Sequence, residues 1–181
     1  MEQAQRRRLA YGFMLAAMGT VLALIGTGYA MPGERNIVRT RTIAASPAKI
    51  HAELIDLETW PKWSAWSVER DPSATWTFSG TSGDIGHTWD WNGKQLGDGK
   101  LVLTRVDQND GGIAYDLTFA DTPPSVGAIT LVEGEGGTLV TWTNGLDIGN
   151  HPFMRLIGPF VESMVGNDFE IGLEGLAKAV E

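Results

Sequence analysis

The chain has no cysteine. That excludes disulfides, thiolate nucleophiles and cysteine-ligated metals, and it leaves the compartment open. Histidine is almost as scarce. His51, His87 and His151 are the whole set, and no two stand at a ligand spacing, so neither a metal site nor a metal cofactor is expected. A Gly-x-Ser-x-Gly elbow is missing. So is a phosphate-binding glycine loop, because the glycines fall in turns rather than between a strand and a helix. Basic residues are few beyond position 33. The first 33 positions hold three Arg and one Glu, so the other 148 carry 11 basic and 21 acidic side chains, a balance of −10. Nucleic acid wants a basic surface, and this balance argues against it. There is no internal repeat and no low-complexity tract.

What is present begins with an apolar run. Residues 1–8 form a short tail ending in Arg6-Arg7-Arg8, and Leu9 to Met31 follows, 23 residues without a charge. A bilayer core needs about 20. Three readings compete: an uncleaved anchor over 9–31, a signal peptide cut after the small-x-small triplet Gly28-Tyr29-Ala30, or a buried helix of a soluble protein. The run is longer than the usual apolar segment of a signal, and Met31-Pro32 is a poor new start, so the anchor is preferred. The arginine triplet favours the amino terminus inside and the acidic domain on the outer, periplasmic or extracytoplasmic side; Arg35, Arg39 and Arg41 pull the other way. Gly12, Ala16, Gly19, Ala23, Gly26 and Ala30 recur every three or four residues. That stripe of small residues makes the anchor a candidate for homodimerisation.

Pro32-Gly33 ends the helix, residues 32–35 read as a linker, and 36–181 read as one domain. Asn36–Ile43 is β-branched and extended. Ser46-Pro47 caps a short helix carrying Ile50, Leu54 and Leu57. Trp60 and Trp63 stand at helical spacing and predict a second short helix. Six strands are expected next: Thr75–Ser79, Gly86–Trp91, Gly99–Val106, Ile113–Ala120, Val126–Val132 and Thr138–Leu146. Turn signals separate them at Ser79-Gly80, Asn92-Gly93, Asp110-Gly111-Gly112, Pro123-Pro124 and Gly136-Gly137. Alternation puts His87, Trp89, Trp91, Leu101, Leu103, Ile113, Tyr115, Leu117, Phe119, Ile129, Leu131, Val140, Trp142 and Asn144 on an inner face. Thr88, Asp90, Thr104, Asp116, Thr118, Thr141 and Thr143 fall on a polar outer face. His151 to Val180 reads as one long helix opening on Pro152, kinked at Gly158-Pro159 and loosened at Gly166. Its apolar residues, from Phe153 through Phe160 and Met164 to Val180, read as one continuous face. The order predicts an α+β fold, with a curved antiparallel sheet of about seven strands around the last helix and a cavity between them.

Four stretches carry a resemblance: Ala45-Ser46-Pro47-Ala48-Lys49-Ile50, Trp60-Pro61-Lys62-Trp63-Ser64-Ala65-Trp66, Gly137-Thr138-Leu139-Val140-Thr141-Trp142 and Asp168-Phe169-Glu170-Ile171-Gly172-Leu173. On these the chain from Asn36 to Val180 resembles the START-like helix-grip superfamily, in its polyketide cyclase/dehydrase branch. The resemblance implies the fold. It implies less about activity, because members bind lipids, polyketides and hormones and only some catalyse.

The residues themselves favour binding over catalysis. The inner face is apolar and rich in tryptophan, as small-molecule sites are. Trp60, Trp63, Trp89, Trp91, Tyr115, Trp142, Asn144, Phe160 and Met164 are the candidate ligand-binding residues, for a lipid or other hydrophobic small molecule. The alternative is a cyclase- or dehydratase-like enzyme using His87 and Tyr115, without metal. A third reading is an interaction domain with a filled core.

Overall fold

The computed structural model describes residues 2–109, 111–120 and 124–181. Asp110 and Pro123, each part of an expected turn, lie outside them. The chain forms two compact units, residues 1–35 with 147–161 and residues 36–146 with 162–181.

The larger unit is built on a seven-stranded antiparallel sheet. Its strands are β1 (Glu34–Ile43), β2 (Thr75–Ser79), β3 (Thr88–Gly93), β4 (Gly97–Val106), β5 (Ile113–Phe119), β6 (Ser125–Gly134) and β7 (Gly137–Asp147), in the order β1-β7-β6-β5-β4-β3-β2. Between β1 and β2 come α2 (Pro47–Ile55), a single 3-10 turn (Leu57–Thr59) and α3 (Trp60–Trp63). Ser46 caps α2 by accepting from the Lys49 N–H, with Pro47 at the first helical position. The sheet curves around the carboxyl-terminal part of α4 (Pro152–Val180), as the helix-grip reading requires. Register carries the inner rows across the strands. Trp76, Trp91, Gly99 and Phe119 are successive partners, as are Phe78, Trp89, Leu101 and Leu117. At Gly99 a Cβ would fall inside the Trp91 indole, and at Gly127 inside the Tyr115 ring. Each glycine lets its cross-strand aromatic partner lie flat over the sheet.

Two local expectations change. Asn92-Gly93 is strand rather than turn: Gly93 pairs with Gly97, and the loop is Lys94-Gln95-Leu96 followed by a left-handed Gly97. Gly93 instead makes room for Asp71, whose Oδ2 lies 2.5 Å from where a Cβ would stand. Thr88, assigned to the wet face, is buried and donates to the Gly86 carbonyl at 2.9 Å. Arg39, which shares parity with buried Ile37 and Ile43 on β1, is accounted for by α4, where it pairs with Glu170.

The larger correction concerns α4. At about 100° per residue, Phe153, Ile157, Phe160 and Met164 form one stripe, while Val161, Val165, Phe169, Leu173, Leu176 and Val180 form another, centred about 140° away. Phe169, Leu173, Leu176 and Val180 are buried; Phe153, Phe160 and Met164 are 61%, 72% and 49% exposed. The apolar residues thus form two faces rather than one. Adjacent pairs at 160/161 and 164/165 bridge them in a periodicity count.

In the smaller unit α1 (Glu2–Ala30) is apolar on every side beyond its charged start. Gln5–Ala30 is long and apolar enough to cross a membrane, and an amino-terminal signal sequence has the same character. After it, the Gly33 carbonyl accepts from the Ile148 N–H at 2.9 Å.

Candidate ligand-binding interior

The inner face closes on itself through aromatic rings. All seven tryptophans, with Phe78, Tyr115, Phe119 and Phe169, join one network with centroid separations of 4.5–6.4 Å. Trp60 is one hub, touching Trp63, Trp89, Tyr115 and Trp142. Trp66 is the other: it stacks on Trp91 at 6.0 Å and also meets Trp89, Phe119 and Trp142. Trp142 in turn stacks on Phe169 of α4 at 4.5 Å. Rings therefore occupy much of the space in which a cavity is expected.

Local chemistry fixes these rings. Trp60 donates its indole N–H to the Leu54 carbonyl at 3.1 Å, and Trp63 donates to the Thr59 hydroxyl at 3.3 Å. Both therefore face inward from a helix of one turn, and the Trp63 carbonyl reaches α4 where Gly175 leaves no Cβ. Trp66 belongs to the segment between α3 and β2, which two carboxylates hold down. Asp168 of α4 accepts from Arg70 at 2.7 Å. Asp71 accepts from the Ser73 hydroxyl and N–H through one oxygen, and from the Gln95 and Leu96 N–H groups through the other. The Ser73 hydroxyl, helped by the three amides, holds its carboxyl down at about 2. The sequence signal for Asp71 was the turn tripeptide Asp71-Pro72-Ser73, and that signal is too common to single it out.

Polar groups are few inside. Trp142 Nε1 donates to the Tyr115 hydroxyl at 2.7 Å. Burial pushes the Tyr115 phenol well above its ordinary range, with the Trp142 bond opposing. As a proton donor or acceptor near neutral pH it is therefore poorly matched. His87 is buried just before β3, with Nδ1 3.4 Å from the Ile55 carbonyl. Asn144 is buried on the row that runs from Leu103 through Tyr115 and Gly127, and Ser125 lies 3.5 Å from its Oδ1. The indole N–H groups of Trp89 and Trp91 are buried and have no hydrogen-bond partner among the described residues.

Trp60, Trp63, Trp89, Trp91, Tyr115 and Trp142 are thus brought together, with Asn144 on the same inner face. Phe160 and Met164 stand on the exposed stripe of α4 and take no part in the ring network. Sequence reasoning had placed them inside by merging the two stripes. Trp66, Trp76 and Phe78 also belong to the ring network and are not among the candidates read from the sequence. Among the described residues no cluster of three His, Asp or Glu could hold a metal. Among the described residues, recesses that open on the surface include two of similar size. One, of about 370 Å³, crosses the polar face of β2–β5 at Thr77, Asp90, Asn92, Asp98, Lys100 and Thr118. Its polar side chains are partly paired: Asp90 pairs with Lys100 at 3.4 Å, and Asn92 donates to Asp98 at 2.6 Å. The other, of about 350 Å³, lies at Ala44–Ser46 and the β6–β7 turn.

With that geometry in place, residues 34–181 match the family model for polyketide cyclase/dehydrase and lipid transport proteins. The chain belongs to that family. No curated protein matches it. Among solved structures it is similar to a protein from Thermus thermophilus, at 17% identity and TM-score 0.63, covering 81% of this chain and 97% of that one. A truncated norcoclaurine synthase from Thalictrum flavum aligns at 14% identity and TM-score 0.59, over 81% of this chain and 93% of that one. The Aha1 dimer from Colwellia psychrerythraea aligns at 21% identity and TM-score 0.57, over 81% and 96%. At these identities the likeness carries the fold alone.

Proposed function

We propose that this family member is a membrane-anchored binding module for a lipid or other hydrophobic small molecule bearing a hydrogen-bond acceptor. The observation that carries the reading is the pair of buried, unpartnered indole N–H groups on Trp89 and Trp91, whose rings lie 4.8 Å apart. A buried donor without a partner costs about 1–3 kcal/mol. Two such donors in an apolar interior favour a ligand that carries a carbonyl, carboxylate or hydroxyl oxygen. The rest of the ligand would meet aromatic faces, as in most small-molecule sites. Entry requires Trp66 to lift from Trp91, and Trp66 sits on a connecting segment rather than on a strand. The scarcity of titratable groups supports binding over turnover, and the raised phenol of Tyr115 adds to that.

The anchor reading rests on the uncharged run of α1, with the arginine triplet inside and the acidic domain outside. Self-association through its small-residue stripe forms part of the same proposal. The test is native mass spectrometry of the full chain extracted from membranes in mild detergent. A retained lipid is expected in the parent, and the double variant Trp89→Phe, Trp91→Phe should lose it while the fold is kept. Equal retention by the variant removes the donor pair from the site. Turnover of a bound molecule, lost on His87→Ala, would favour the enzyme instead.

A further inference from the structure

We infer a second membrane contact: the first turns of α4, with Phe153, Met154 and Phe160, rest on the bilayer surface where the anchor emerges. The inference rests on the anchor reading of α1 and on contacts within the smaller unit.

The position of that surface follows from counting. Arg8 is the last charge before the apolar run. From Leu9 to Gly28 the helix rises about 29 Å at 1.5 Å per residue. The hydrocarbon core is about 30 Å thick. Gly28 therefore stands at its far boundary, and Tyr29 falls in the interfacial layer that tyrosine favours. Gly28 is also where α4 begins: a Cβ there would overlap the Pro152 carbonyl. Arg155 holds the junction. It donates to the carbonyls of Met31 at 3.1 Å and Tyr29 at 3.4 Å, and to Gly149 and Asn150 at 2.9 and 2.6 Å. A guanidinium on the last carbonyls of α1 both satisfies them and complements the helix dipole. The start of α4 is thereby held at the membrane boundary by the chain's own bonds.

Next to that junction the surface of α4 is apolar. Phe153 is 61% exposed, Met154 41% and Phe160 72%, and Phe153 and Phe160 lie two helical turns apart on one stripe. Ile148 to Val161 contains no Asp or Glu, in a domain that is otherwise strongly acidic. Aromatic and methionine side chains in a stretch that itself carries no acid suit the headgroup–acyl boundary, as on helices that lie in the interface plane. In water they would form an unexplained apolar patch.

The absence of cysteine makes the test clean. Single cysteines at Met18→Cys, Phe153→Cys, Phe160→Cys and Thr104→Cys in the full chain would carry a bimane label. The protein is reconstituted in phosphatidylcholine–phosphatidylglycerol vesicles containing doxyl-labelled phosphatidylcholine. Position 18 should be quenched by a deep doxyl group. Positions 153 and 160 should be quenched by a shallow one, several-fold more than position 104 on the polar face of the sheet. If position 18 is quenched while 153 and 160 match 104, the surface contact is overturned and the anchor stands. If position 18 is not quenched, the anchor reading fails and this inference with it.

Discussion

The two apolar stripes of α4 are chemically alike and physically opposite. Phe169, Leu173, Leu176 and Val180 are packed away; Phe153, Phe160 and Met164 face outward. What separates them is the neighbour each face is offered. The buried stripe meets rings, and glycines of α4 itself let its neighbours come close: Phe169 stacks on Trp142, Gly172 leaves room for the edge of that indole, and Gly175 admits the Trp63 carbonyl. The exposed stripe meets none of these. Hydrophobicity along a helix shows which side chains leave water, and it does not show whether protein or lipid receives them.

The comparison breaks most easily by truncation. Phe169→Ala removes a stacked, fully buried ring and should cost about 3–5 kcal/mol, as large core truncations do. Phe160→Ala at the exposed stripe should change stability by no more than about 0.5 kcal/mol. Denaturant midpoints of the full chain in detergent decide it. Equal losses would mean that both stripes are core and that the exposure of Phe160 has been misread as a surface.

How much of this was legible beforehand follows from the same contrast. Period-two alternation located the sheet and its inner face, because a half-buried strand must alternate and because bulky side chains there have one place to go. It placed Trp89, Trp91, Tyr115 and Trp142 inside, where they are. The α4 stripes were not legible as two, since neighbouring apolar residues at 160/161 and 164/165 satisfy either phase. Asn92-Gly93 was misread because a turn-forming dipeptide is also a small one, and here smallness serves the approach of Asp71. The idle N–H groups of Trp89 and Trp91 have no sequence signature at all: whether an indole finds an acceptor depends on side chains brought in from other strands.

A second way to sharpen the contrast is acid. The buried side of α4 is covered partly by the segment carrying Trp66, and Asp71 fastens that segment to the β3–β4 loop. Its folded pKa, about 2, lies below the ordinary carboxylate value of about 3.9. A depressed carboxylate contributes stability that is present above the unfolded value and is lost as pH falls through the folded one. The expected loss lies between pH of about 4 and 2. Near-ultraviolet circular dichroism, which reads the tryptophan packing, should weaken across that window in the parent. Asp71→Asn should already be destabilised at neutral pH and should show less change across the window. An unaltered acid response in the variant would show that another group governs it.

The smallest expected effect concerns a third apolar surface, the stripe of Gly12, Ala16, Gly19, Ala23, Gly26 and Ala30 on α1. At about 100° per residue Gly28, the point of contact with α4, lies about 160° around the helix from Gly12. The side used for α4 is thus nearly opposite the stripe, and a Cβ at Gly12, Gly19 or Gly26 would meet nothing within 4 Å. Small residues on a lipid-facing side let two helices approach closely, and their period of about 3.5 favours a left-handed crossing. Gly19→Leu with Ala23→Leu should therefore abolish self-association of the full chain in a membrane two-hybrid assay. The stability of the domain should not move, because nothing packs on those positions. Conservative changes on the bulky side, Met18→Leu and Leu22→Ile, should leave both readouts unchanged. If all three chains associate equally, the stripe is an accident of composition, and among the described residues the contacts of α1 with α4 are at its last turn, at Gly28 and Tyr29.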